Sequence, residues 1–227
     1  MTSQDLDVQR HAAAIASGGI SDDAIHRVFV RLADDLGLAG DLLDFGAGTG
    51  GLVRRLAASG RFSSATAVDL VRYEAAAEAG TAFVERDLNE PTGLPAESFD
   101  VVVSSEVIEH LENPRAVARE WFRLLRSGGT LIFSTPNNES WRSLASLALR
   151  GHFVSFADTC YPAHITALVR KDIERILVEA GFSLPRFSFT NVGGIPKLPR
   201  LKWQTVSAGL LRGLRFSDNL IAMSRKP

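Results

Sequence analysis

The sequence has little of what marks secreted, membrane-spanning or nucleic-acid-binding proteins. Its 227 residues hold one cysteine, Cys160, which excludes an internal disulfide and fits a reducing compartment. No activating pattern stands beside Cys160, so it is not read as a nucleophile. No stretch reaches the ~18 apolar residues of a membrane span. Residues 1–19 are polar and alanine-rich, without the charged start and apolar core of a secretory leader. A cytoplasmic chain is therefore expected. A net charge of −1 supplies no global field to attract nucleic acid. The hydrophobic content of 45% is ample for a core, and the length suits one domain with modest additions.

Against that plain background the stretch Leu42-Leu43-Asp44-Phe45-Gly46-Ala47-Gly48-Thr49-Gly50 stands out. An apolar, strand-like run ends in a carboxylate, and three glycines on alternate positions follow. Glycines there let the backbone turn sharply and approach a ligand with no Cβ in the way. The helical pattern from Gly51 to Ser59 then presents free N–H groups and a positive dipole end. Ala65 to Leu70 reads as a second strand ending in Asp69, about 20 residues past the glycines, where an acid can take both ribose hydroxyls. A third short strand, Ala82 to Val84, leads to Asp87. A fourth, Phe99 to Ser104, runs into Ser105-Glu106-Val107-Ile108-Glu109-His110. Open α/β sheets bind ligands at the carboxyl ends of their strands, and four polar strand ends fit that rule.

Around these motifs the spacing predicts further elements. Ser21-Asp22-Asp23 caps a helix running to about Leu36, with Ile25, Val28, Phe29 and Leu32 on one face. Helices are expected at Val71 to Ala79, Pro114 to Arg126 and Lys171 to Ala180. Strands are expected at Thr130 to Ser134, Phe182 to Thr190 and Ser217 to Ser224, with Ser127-Gly128-Gly129 ending a helix. Residues 1–19 read as a mobile arm or marginal helix, and 20–227 as one domain. Residues 137–169 break the alternation: Trp141, Leu144, Leu147 and Ala148 recur at helical spacing. A connection of that length suits a cap over the substrate. Packing on the sheet edge, or contact with a membrane surface or another copy, stays open.

The order LDFGAGTG, AVDL, ERDL, FDVVVSSEVIEHL, LLRSGGTLIFSTPN resembles the class I S-adenosylmethionine (SAM) methyltransferases over roughly residues 40–190. A dehydrogenase would share only the first two motifs, and its glycine run would be G-x-G-x-x-G. The resemblance implies a Rossmann-like α/β fold: a mostly parallel seven-stranded sheet, helices on both faces and a helical cap insertion. It implies that Gly46, Gly48 and Gly50 pass under the methionine moiety and that Asp44 orients it. Asp69, with Leu70 beside it, would hold the ribose; Asp87 would take the adenine amino group, with Leu88 against the ring. Ser104 and Ser105 would face the sulfonium side.

Methyl transfer to oxygen needs a base or a metal to handle the hydroxyl proton. If a helical turn follows the fourth strand, Glu106, Glu109 and His110 stand at i, i+3 and i+4 on one face. Two carboxylates and an imidazole so placed suit Mg²⁺, Mn²⁺ or Zn²⁺. The run resembles that of metal-dependent ubiquinone-pathway O-methyltransferases and of small-RNA 2′-O-methyltransferases, in which a further histidine arrives after a T-P-N-x-E segment. Here Thr135-Pro136-Asn137-Asn138-Glu139 precedes His164, which joins the candidate ligands. Metal-free relatives place a histidine after this strand as well, so His110 or His164 as direct base is equally open. His11, His26 and His152 carry no pattern. From Ile195 on, Lys197, Arg200, Lys202, Arg212, Arg215, Arg225 and Lys226 face the single acid Asp218, a solvated basic face or a contact for an anionic partner.

These readings make SAM-dependent O-methylation of a small hydroxylated metabolite or sugar the leading expectation. RNA 2′-O-methylation, N-methylation of a small amine and a non-catalytic SAM-binding scaffold are the alternatives. The expected partner is a small molecule, nucleic acid is disfavoured, and the sequence leaves the oligomeric state open.

Overall fold

In a computed structural model, residues 3–73 and 81–227 are described. The helices are α1 (Ser3–Ser17), α2 (Asp23–Asp35), α3 (Gly51–Ala57), α4 (Pro114–Leu124), α5 (Trp141–Arg150), α6 (Arg170–Ala180) and the short α7 (Trp203–Val206). The strands are β1 (Gly40–Phe45), β2 (Phe62–Asp69), β3 (Thr81–Glu85), β4 (Phe99–Ser105), β5 (Leu125–Pro136), β6 (Arg186–Phe189), β7 (Gly194–Ile195), β8 (Leu198–Lys202) and β9 (Asn219–Arg225). Local chemistry sets the helix starts. The Asp22 carboxylate accepts the Ala24 N–H at 2.7 Å, and Asn113 accepts that of Ala116 ahead of Pro114 at the first helical position.

Seven strands form one sheet in the order β3-β2-β1-β4-β5-β9-β6. All run parallel except β9, which is antiparallel to both neighbours. Side chains alternate across the strands, so successive residues enter opposite cores. Leu42, Val101 and Val103 join Ile25, Phe29 and Leu56 on one face. Leu43 and Val102 join Trp121, Phe133 and Leu177 on the other. Trp121 is fully buried, its ring edge-on to Phe45 at 5.8 Å and tilted on Phe133 at 4.9 Å. Chain order reverses between β1 and β4, and such a switch point is where open α/β sheets open a crevice.

Some expected boundaries move. The fourth helix stops at Leu124, and β5 begins at Leu125, ahead of the Ser127-Gly128-Gly129 turn; Leu125 is fully buried and pairs with Phe99 before the register shifts. Val71–Tyr73 are not helical, and the rest of the helix expected there lies outside the described residues. The first 19 residues contain α1. The segment 137–169 contains α5 and two single turns of tighter helix, Val154–Phe156 and Asp158–Cys160. Among the described residues, no helix is long and apolar enough to cross a membrane.

Candidate active site

A cavity of about 1030 Å³ opens at the carboxyl ends of β1, β2 and β4. Its size lies at the upper end for small-molecule sites. Asp44, Gly46, Gly48, Asp69, Leu70, Asp87, Leu88 and Ser105 line it, as expected from the motifs; Gly50 and Ser104 do not. Ser104 is buried and donates to the Phe45 carbonyl at 2.7 Å, so it ties β4 to β1.

The glycine loop takes a shape other residues resist. Gly46 and Gly48 have φ of +82° and +51°. A Cβ on Gly46 would collide with Val107, and one on Gly48 with the Gly19 carbonyl. The Gly48 N–H donates to Asp69 Oδ2 at 2.7 Å, and Val71 N–H to Asp69 Oδ1 at 3.2 Å. Asp44, at the end of β1, is buried, and neither carboxylate oxygen has a hydrogen-bond partner among the described residues. Burial, with the nearby Asp69 charge, pushes its carboxyl up to about 7. Burial also raises Asp69.

The far end of the cavity is built differently. After β4, Glu106 adopts φ of +55°, and only Ile108–His110 form a single turn of tighter helix, so the expected one-face helical array does not form. Glu106 accepts from the Asn219 side chain at 2.9 Å. Glu109 points inward, is fully buried and accepts from the Thr135 hydroxyl at 3.2 Å. His110 lines the cavity with Nδ1 2.8 Å from the Ala163 carbonyl, which can only accept. Nδ1 therefore carries the proton and Nε2 keeps its lone pair. The segment bearing His164 is held by the Glu109 carbonyl, which accepts from Ile165 and Thr166 N–H at 2.9 Å each. That pairing brings the His164 ring edge-on to His110, centroids 4.6 Å apart.

One ligand atom from each of Glu109, His110 and His164 lies within 4.8 Å of the other two. Glu106 is outside this group. Burial pushes the His110 imidazole down to about 4, helped by its His164 neighbour, and lowers His164 too. Burial pushes Glu106 up to about 7 and raises Glu109 further, the Glu106 charge adding to the latter.

Several wall residues carried no sequence signal. Gln9, Arg10, Ala13 and Ala14 on α1 line the cavity, while no residue of α5 does. From the expected cap, only Tyr161, Pro162, His164 and Ile165 reach it. Arg10 ion-pairs with Asp87 at 2.8 Å and grips Glu112 through two hydrogen bonds at 2.9 and 2.8 Å. In a polar, alanine-rich segment it looks like any solvated arginine.

A methyltransferase-domain family model matches residues 17–185, which is most of the chain. The chain belongs to this family, the class I SAM-dependent methyltransferases. It is 28% identical over 152 residues to a malonyl-[acyl-carrier protein] O-methyltransferase of Paenibacillus, covering 63% of this chain and 55% of that protein. It is 26% identical over 160 residues to a ubiquinone biosynthesis O-methyltransferase of Psychrobacter arcticus, covering 66% and 62%. A SAM-dependent methyltransferase of Thermotoga maritima shares the fold, with a TM-score of 0.63, 18% identity and 89% of each chain covered. The chain thus spans under two thirds of the length of either curated relative.

The site fits SAM on its own terms. The unpartnered Asp44 carboxylate suits a cationic group, the glycine loop admits close backbone approach, and Leu88 offers an apolar surface.

Proposed function

We propose that this protein transfers a methyl group from SAM to an oxygen of a small hydroxylated molecule. The single observation carrying the reading is the pair of neutral, half-buried imidazoles, His110 and His164, on the wall of a cavity whose other end suits SAM. Bound SAM supplies an electrophilic methyl on a sulfonium. The chain's own work is then orientation of the acceptor and removal of its proton.

His110 can take that proton at Nε2, because the Ala163 carbonyl holds the other ring nitrogen as donor. A general base of this kind contributes about 10²–10⁴-fold. Burial lowers both imidazoles, which favours the uncharged form that a base needs. Both curated relatives named above are O-methyltransferases by description, which supports oxygen over nitrogen as the acceptor atom.

A second reading rests on the same cluster. Glu109, His110 and His164 offer one carboxylate and two neutral imidazoles, a donor set that fits a divalent cation. With Glu106 outside it, the set favours Mn²⁺ or Zn²⁺ over Mg²⁺, which prefers oxygen ligands. A cation there would lower the pKa of an acceptor hydroxyl.

Formation of S-adenosylhomocysteine from SAM tests both readings, with catechol, phenol and benzylamine as acceptors, before and after chelation and Mn²⁺ addition. Methylation of a hydroxyl that survives chelation supports the histidine base. Methylation lost on chelation and restored by Mn²⁺ supports the metal. Methylation of the amine alone would overturn the oxygen assignment.

A further inference from the structure

Residues 193–216 leave the carboxyl end of the sheet as an excursion between β6 and β9, and their surface is unlike the rest of the molecule. β7 and β8 form a two-stranded sheet of their own, apart from the main one. The five consecutive residues Lys197-Leu198-Pro199-Arg200-Leu201 are all exposed. Beyond them Val206 is exposed, and Leu210 is 84% exposed. From Ile195 to Phe216 the chain has five basic residues and no acid, although the whole carries −1. Asp218 meets Lys202 at 3.8 Å and Arg142 at 3.1 Å. Lys197, Arg200 and Arg212 have no acidic partner among the described residues.

This surface is held rigidly. The Gln204 side chain accepts the Gly193 N–H at 3.0 Å and donates to the Leu211 and Phe216 carbonyls at 2.8 and 2.9 Å. Trp203 packs edge-on against Phe216 at 5.5 Å. Arg215 lies over the Trp141 ring at 5.3 Å and donates to the Glu139 carbonyl, joining the excursion to the start of α5. α5 itself is turned inside out. It buries Ser143 and Ser146 and exposes Leu147, Leu149 and Arg150, with Leu149 70% exposed.

We propose that the β7–β8 excursion and α5 form a docking face for an anionic phospholipid surface. Exposed leucines beside unpaired cations match a layer that is anionic outside and apolar immediately beneath. Nucleic acid would satisfy the cations and leave the leucines in water. The leucines project from a hairpin, a turn and a helix end, which suits a fluid layer that needs no matching groove. Because β9 resumes at Asn219, a residue of the cavity wall, docking would set the acceptor end of the cavity close to the bilayer.

Co-sedimentation of the full chain with vesicles tests this, comparing phosphatidylcholine alone with phosphatidylcholine mixed with phosphatidylglycerol. Binding is expected only to the anionic vesicles and should weaken with salt. The double variant K197Q/R200Q should bind about thirtyfold more weakly, at roughly a fivefold loss per cation. L198S/L201S should also lose binding, at low salt as well. Both variants alter exposed side chains away from the cavity, and S-adenosylhomocysteine affinity reports that they remain folded. Absence of binding to either vesicle, equal binding to both, or unchanged binding by both variants would overturn the proposal. So would retention of a short RNA, an acidic protein or a second copy by this face without vesicle binding.

Discussion

The glycine-loop end of the cavity and its histidine end differ in how the chain builds them. At the first, Asp44, Gly46, Gly48 and Asp69 come from two adjacent parallel strands and the turn between β1 and α3. At the second, Glu109 and His110 meet His164 only because the Glu109 and Ala163 carbonyls fasten two distant segments together. Yet one cause acts on both. Removal from water disfavours charge, so Asp44 rises to about 7 while His110 falls to about 4. Burial thus disfavours charge of either sign at Asp44 and at His110. One end waits for a cation to restore it, and the other holds neutral nitrogen lone pairs.

Breaking the histidine end should have the largest effect. His110→Gln or His164→Gln should lower turnover by about 10²–10⁴-fold, with S-adenosylhomocysteine affinity unchanged, as read by steady-state kinetics beside calorimetry. A parallel loss of cofactor affinity would mean that the two ends are not separable. The glycine end should break next. Gly48→Ala must adopt an αL backbone and push against the Gly19 carbonyl, and strain of about 1–3 kcal/mol predicts a loss of S-adenosylhomocysteine affinity of about five- to 150-fold.

A subtler test concerns pH. Asp44 has a folded pKa raised to about 7, above its ordinary 3.8, so between those values the folded state holds a proton the unfolded chain has released. Its contribution to stability is present at low pH and is lost as pH rises through that window, by up to about 1.4 kcal/mol per pH unit, levelling above about 7. Asp44→Asn removes this term. Urea unfolding of the ligand-free protein should show the variant gaining on the wild type between about pH 5 and pH 7, and parallel curves would contradict the assignment. The smallest effect belongs to Arg10→Ala. Freed from its ion pairs with Asp87 and Glu112, α1 should grip the cavity less well, shifting S-adenosylhomocysteine affinity by no more than about fivefold.

The same contrast explains what could be read in advance. The sheet, most of the helices flanking it and the gathering of residues at the glycine-loop end were legible because each depends on short-range pattern: the apolar run Leu42-Leu43, glycines after Asp44, an acid at the end of β2. The histidine cluster was legible in part. His164 stood out by its place after the T-P-N-N-E segment, but the group it joins excludes Glu106, since a left-handed Glu106 and a single tight turn replace the expected helix. The role of α1 was not legible, because Arg10 reaches Asp87 and Glu112 only through the tertiary fold. The segment 137–169, expected as a cap, reaches the cavity through Tyr161, Pro162, His164 and Ile165 and not through its helix. The helical spacing of Trp141, Leu144 and Leu147 was real, but α5 buries its serines and leaves the cavity wall to Tyr161–Ile165.

The central claim is that one cavity holds a cofactor end and a chemical end that can be separated. Calorimetric titration of S-adenosylhomocysteine into Asp69→Asn and His164→Gln tests it most directly. The account predicts that Asp69→Asn binds far more weakly than the wild type, while His164→Gln binds as the wild type does. Equal binding by both variants, or loss only in His164→Gln, would contradict it.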